Sequence, residues 1–284
     1  MAKLRKNQAW NNNKREFFAT KPNNQPFSLC TIRRSLMKQR HLNTLLLALA
    51  GSLLAPAAAQ AHEIWLARIH GQPTVMYGHE ESDTDPYDPI TISEARAYKN
   101  GKPEEVTIVR HYTQRFATLK AEAPGLLTFT KEGGIWSKTK DGKWHNLAKD
   151  QLPNPADAER SMHARGFSAA YLNKREPVTK LGYELEIVPE TNPAKLLPGE
   201  KLPVQVIYRG QPLADAKVTS NAFDHEAQKA TTDAQGRATL TVARSGLNVI
   251  SVNHAVAYPD PKKADKDITL FTLTFEAAGG GHDH

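Results

Sequence analysis

From residue 62 onward, apolar and polar positions alternate in short runs separated by turn residues, the period-2 pattern of half-buried strands. The runs Glu63-Ile64-Trp65-Leu66-Ala67-Arg68-Ile69 and Thr74-Val75-Met76-Tyr77-Gly78-His79 flank His70-Gly71-Gln72-Pro73, which predicts a hairpin. Residues 104–113 and 116–120 alternate in the same way, with Gly125, Gly133-Gly134 and Asp141-Gly142 as later turns. Residues 134–144 read as another hairpin about Asp141-Gly142, a type I′ signal. Residues 155–173 break the alternation, and two segments there, 156–162 and 167–172, predict short helical turns. On this pattern Trp65, Trp136, Trp144 and Tyr77 are core residues.

A second series begins after Pro189, where Asn192-Pro193 and Leu197-Pro198-Gly199-Glu200 make a linker. Short strands then recur about every 8–12 residues, with turns at Arg209-Gly210-Gln211-Pro212 and Asp233-Ala234-Gln235-Gly236. The expectation is an all-β chain of two β-sandwich domains, immunoglobulin-like or transthyretin-like, with a short helical insertion in the first. The domains are expected at 62–190 and 191–277, ahead of a flexible, His-containing tail at 278–284.

Charge changes meaning once the first 61 residues are set apart. The 284-residue chain carries 37 Lys+Arg against 30 Asp+Glu, a formal charge of +7. Residues 1–61 hold ten Lys/Arg and a single acid, Glu16, which leaves 27 basic and 29 acidic residues in 62–284. The remainder is slightly acidic, so no nucleic-acid partner is expected and membrane contact is peripheral at most. Lys38 and Arg40 precede the apolar run 45–54, and Ala59-Gln60-Ala61 supplies a small-x-small cleavage site. Residues 37–61 are therefore expected as a signal peptide, cleaved near Ala61 and directing the protein to the periplasm; cleavage behind Ala59 satisfies the same rule. The apolar run is shorter than the ~20 residues that span a bilayer. Residues 1–36, polar and Asn-rich, are expected as a disordered upstream extension, within which Arg33-Arg34 leaves a twin-arginine route open. The single cysteine, Cys30, lies there, so a metal site in the mature part must use nitrogen and oxygen donors.

A further set of residues carries a resemblance. These are Gly182-Tyr183-Glu184-Leu185-Glu186-Ile187-Val188-Pro189, Asn192-Pro193, Pro198-Gly199-Glu200 and Gly210-Gln211-Pro212-Leu213-Ala214-Asp215-Ala216-Lys217-Val218. Together with Ala61-His62-Glu63-Ile64-Trp65, Gly78-His79 and Leu273-Thr274-Phe275, they resemble a bacterial family catalogued as a domain of unknown function. Members of that family are described as periplasmic components of nickel or cobalt uptake. The resemblance covers essentially all of 62–276 and implies two β-rich domains with a metal-handling role. It also implies a membrane metal permease as partner.

Cleavage behind Ala61 would make His62 the N-terminal residue, offering an α-amine and an imidazole to one metal. With a second imidazole this is a histidine brace, suited to a divalent transition metal: Ni or Co, with Cu as the alternative. If the hairpin turns about Gly71-Gln72, His62 lies opposite residues 79–81, and facing side chains have Cβ atoms about 5 Å apart. His79 is the candidate second ligand, and a one-residue slip would move it to the other face. His254, ending the run 248–253, is the third, and resemblance favours a histidine near this position. Glu80, Glu81, Asp83, Asp85 and Asp88 crowd the following loop as oxygen donors. No Gly-x-Ser-x-Gly, His-Glu-x-x-His, phosphate-loop or dinucleotide motif is present, so no enzyme is expected. Two other functions fit the same sequence: a copper carrier or resistance protein, and a metal-free adhesion or carbohydrate-binding module.

Overall fold

Left-handed backbone at His70 (φ 49°) and Gly71 (φ 77°) makes the tight turn whose twist matches the two strands it joins. These are β1 (Glu63–Ile69) and β2 (Gln72–Gly78), paired without a slip from Ile69↔Gln72 to Glu63↔Gly78. The computed structural model describes residues 62–78, 84–221 and 227–279. His79, Glu80, Glu81 and Asp83 lie outside the described residues, as do the expected extension, the signal peptide and most of the tail.

The order continues with β3 (Ile92–Lys99), β4 (Lys102–Glu104), β5 (Val106–His111), β6 (Phe116–Ala121) and β7 (Leu126–Thr139). Next come β8 (Trp144–His145), β9 (Ala158–Tyr171), β10 (Leu185–Pro189), β11 (Lys201–Tyr208) and β12 (Gln211–Pro212). The last five are β13 (Lys217–Ser220), β14 (Gln228–Thr231), β15 (Arg237–Thr241), β16 (Gly246–Ala257) and β17 (Lys266–Ala277). One sheet runs β1-β2-β6-β5, and a second runs β10-β11-β12 with β15 on the other edge of β11. The third and largest runs β14-β13-β16-β17-β9-β7-β3-β4, with β8 added to β7.

The chain is all-β, and its sandwiches share the large sheet as a middle layer. Side chains on a strand alternate between faces, and here neighbours in sequence enter different cores. Leu126, Ala169, Phe271 and Leu273 pack with β10, β11 and β15. Leu127, Phe129, Ala170 and Leu270 pack instead with β1, β2 and β6. The large sheet takes strands from both sides of residue 190, and β10 and β11, which flank that position, pair with each other.

The expected helical insertion is replaced by a strand. Residues 158–171 form β9, and within 155–173 the helical content is a single 3-10 turn at Pro155–Asp157. β9 lies between antiparallel β7 and parallel β17, so both of its edges are hydrogen-bonded. Gly166, Ser168, Ala169 and Ala170 are small enough to be buried between two covering layers. This tertiary demand outweighs alanine's helix preference, which is a weak prior. Trp65 is fully buried with Ala67, Met76 and Val249, and truncating it to alanine costs about 3–5 kcal/mol. Trp136 and Trp144 are surface residues rather than core: they are 38% and 40% exposed, and the Arg160 guanidinium covers the Trp144 ring. Among the described residues, no helix is long and apolar enough to cross a membrane.

Candidate functional site

β1 is buried on both faces, and this places its first residues. Ile64 and Leu66 point toward the large sheet, whereas Trp65 points toward β16. The approach of β1 to β9 is close enough that a Cβ on Gly166 would sit 2.3 Å from Ile64 Cδ1. His62, two residues before Ile64, continues the inward face at the open end of the first sandwich. Its ring stacks on Tyr77, with centroids 4.7 Å apart and planes 12° apart.

Chain closure behind β2 brings a carboxylate to this ring. Tyr77 N–H donates to Thr84 Oγ1 at 3.0 Å, and Asp85 N–H donates to the Tyr77 carbonyl at 2.7 Å. Asp85 Oδ2 then lies 3.4 Å from His62 Nε2, with both side chains about half exposed. Gly78 makes room for it: a Cβ there would stand 2.9 Å from Asp85 Oδ2, and its φ of 143° disfavours any other residue. Beneath Tyr77, the Tyr87 hydroxyl donates to the Val75 carbonyl and accepts from Ala117 N–H, locking the second ring edge-on. Burial raises the pKa of both phenols, and Asp85 adds to the rise at Tyr77.

Two further ionisable groups frame the site, neither of them expected from sequence. Lys131 of β7 places Nζ 4.5 Å from the Tyr77 ring centre and 5.8 Å from that of Tyr87. Burial lowers its pKa, opposed by Asp88. Glu63 points the other way from His62, into the contact with β16, where Ser251 Oγ donates to its Oε1 at 3.2 Å. Its Oε2 is buried without a hydrogen-bond partner, and burial pushes the carboxyl up to about 7.

His254 is not brought to His62. Strand alternation puts Ser251, which meets Glu63, and His254 on opposite faces of β16, whose pairing with β17 is continuous. His254 lies instead against Tyr208 of β11, with ring centroids 4.3 Å apart. There Glu184 accepts from Arg165 at 2.9 Å and from Arg209 Nε at 2.8 Å, and Arg165 also reaches Glu132. Burial, then Arg209, lowers the His254 pKa, and Glu184 opposes them. His163 and Asp267, paired at 2.8 Å, extend this face. Asp88 is engaged elsewhere, capping the turn Pro89–Thr91 through Ile90 N–H. Among the described residues, no three His, Cys, Asp or Glu side chains form a group that could hold a metal ion.

A family model described as "Domain of unknown function (DUF4198)" matches residues 59–256, from just ahead of β1 into β16. No curated protein and no solved structure matches the chain.

Proposed function

The chain belongs to the DUF4198 family, and we propose that it is a periplasmic carrier of a divalent transition metal serving nickel or cobalt uptake. One observation carries this reading: Asp85 Oδ2 stands 3.4 Å from His62 Nε2. A histidine that binds a metal through one ring nitrogen commonly gives the other to a carboxylate, which fixes the tautomer and ring direction. With Nε2 turned to Asp85, Nδ1 becomes the metal-binding nitrogen. Nδ1 is also the nitrogen that chelates together with the α-amine of the same residue, and leader removal behind Ala61 supplies that amine. The Tyr77 ring holds the imidazole flat against it. His79 serves as second imidazole in this reading, following Gly78 directly as His62 precedes Glu63, the other half of the terminal pair. His254, tilted against Tyr208, is not part of this centre.

The metal is cargo, not a catalytic ion, and passes on to a membrane permease. Copper is the second reading, because an amine–imidazole chelate ranks Cu²⁺ above Ni²⁺ and Co²⁺ whatever its physiological ion. Native mass spectrometry of the exported protein with Ni²⁺, Co²⁺ and Cu²⁺ tests the proposal. A mass beginning at His62, with one ion bound and lost in His62→Ala or His79→Ala, is the expected result. A mature chain beginning at Gln60, or one taking up no stoichiometric ion, overturns it in favour of a metal-free β-sandwich binding module.

A further inference from the structure

Four strands of the large sheet, β7, β9, β17 and β16, run on past the place where Ile64 of β1 packs on Gly166. Alternation gives this overhang two unlike faces. On the face toward β10 and β11, polar groups close on one another: His163 holds Asp267, Ser161 and Lys149 hold Asp265, and Glu184 lies between Arg165 and Arg209.

The opposite face has no such closure. One rung across β8, β7 and β9 carries Trp144, Lys138 and Arg160. The next, across β7, β9, β17 and β16, carries Trp136, Met162, Lys266 and Ala257. Small or apolar side chains, Ala164, Ile268 and Ala255, fill the rung between these and Gly166. Both tryptophans stand open to solvent. Trp136 Nε1–H donates to the Gly133 carbonyl at 2.8 Å, and the Arg160 guanidinium lies 5.1 Å from the Trp144 ring centre. Lys138, Arg160 and Lys266 are three cations, and the acid that reaches them is Glu159, 3.0 Å from Lys138 Nζ. This face is therefore positive on a stretch, 62–284, that holds 27 basic and 29 acidic residues.

Indole rings set among long basic side chains are the combination that seats a protein on an anionic bilayer. Indoles favour the headgroup level, and lysine and arginine lay their stems on apolar ground while their charges reach phosphate. We infer that this face docks on an anionic phospholipid surface. The negative charge elsewhere on the chain turns the basic face toward such a surface. A soluble acidic polymer would meet the cations but leave both indoles, Met162 and Ile268 in water, so lipid fits the face better.

Vesicle sedimentation of the mature protein tests this, in EDTA so that no metal takes part, on phosphatidylcholine with and without phosphatidylglycerol. The expected result is binding to the anionic vesicles only, lost in about 0.5 M NaCl, where charges are screened beyond about 4 Å. Reversing two cations together, Arg160→Glu with Lys266→Glu, should weaken binding by about tenfold or more. Trp136→Ala with Trp144→Ala should weaken it by a similar factor through lost apolar contact. Arg160→Lys with Lys266→Arg keeps both charges and should bind normally, as should Lys120→Glu with Lys201→Glu, which reverses exposed cations on β6 and β11. Near-ultraviolet circular dichroism verifies that each variant is folded. No binding to anionic vesicles, equal binding to neutral ones, unchanged binding in the charge-reversed or the tryptophan variant, or an equal loss in the β6 and β11 variant would overturn the inference. Capture by soluble alginate but not by vesicles would assign the face to an acidic polymer and overturn it as well.

Discussion

Two histidines in this molecule lie against tyrosines at the open ends of two sandwiches, on opposite faces of one sheet, yet their chemistry diverges. His62 stacks on Tyr77 with a half-exposed carboxylate 3.4 Å from its Nε2. His254 meets Tyr208 beside Arg209, and the nearby carboxylate, Glu184, is already shared by two guanidinium groups. A cation next to an imidazole opposes an incoming metal, and a carboxylate whose charge is shared by two arginines attracts a metal ion less strongly. The histidine's neighbours, more than its own burial, decide which mouth suits a metal ion.

The sharpest way to break this contrast is to delete each imidazole in turn. His62→Ala should abolish stoichiometric Ni²⁺ and Cu²⁺ uptake in native mass spectrometry, whereas His254→Ala should leave it unchanged. Uptake that depends on His254 would remove the distinction between the two ends.

The two ends also differ in their buried acids, since Glu63 has a single hydroxyl where Glu184 has two arginines. Burial raises the Glu63 carboxyl from 4.5 to about 7, so across that range the folded chain holds a proton that the unfolded chain releases. Its contribution is fully present below about pH 4.5 and is lost as pH rises to about 7, at ~1.4 kcal/mol per unit and roughly 3 kcal/mol in all. Urea denaturation with EDTA at pH 5 and pH 7.5 should show this fall, and Glu63→Gln should flatten it. An unchanged pH dependence in Glu63→Gln would mean that the carboxyl is solvated.

Asp85→Asn should weaken metal binding by about tenfold, the lower range for losing a partner that orients a ligating histidine. Calorimetry measures it, and an unaltered affinity would mean that Asp85 does not orient His62. The smallest effect belongs to the other end. Glu184→Gln should lower the His254 pKa further and Arg209→Met should raise it, read from the imidazole proton shift by NMR. Shifts in the reverse directions would contradict the pairing drawn there.

Local features of this design were legible and long-range ones were not. The hairpin of β1 and β2 followed from its turn residues, and its register falls within the window expected from them. Asp85 stood among five candidate acids, and nothing in the sequence separated it from its neighbours. The cue, in retrospect, is Gly78: a glycine at the end of an apolar strand marks a close approach. Lys131 gave no signal, because a lysine after a strand of apolar and threonine residues reads as a solvated end. The side of the sheet that His254 faces depends on strands far away in sequence. β9 departs from the helical expectation because its partner β17 pairs with it in parallel about a hundred residues later, and such pairing leaves no local signature.

That parallel pairing governs how the protein comes into being. β17 fills the gap between β16 and β9, and its side chains enter both cores, Leu270 in one and Phe271, Leu273 and Phe275 in the other. The core shared with β10, β11 and β15 is completed only when this strand arrives. Until then β9 and β16 present open edges, and the core packed on β10, β11 and β15 lacks Phe271, Leu273 and Phe275. Contacts between such distant partners carry a heavy entropic toll before they return anything, which makes assembly slow. The hairpin that carries His62 is thus synthesised well before the last strand of the sheet it packs against.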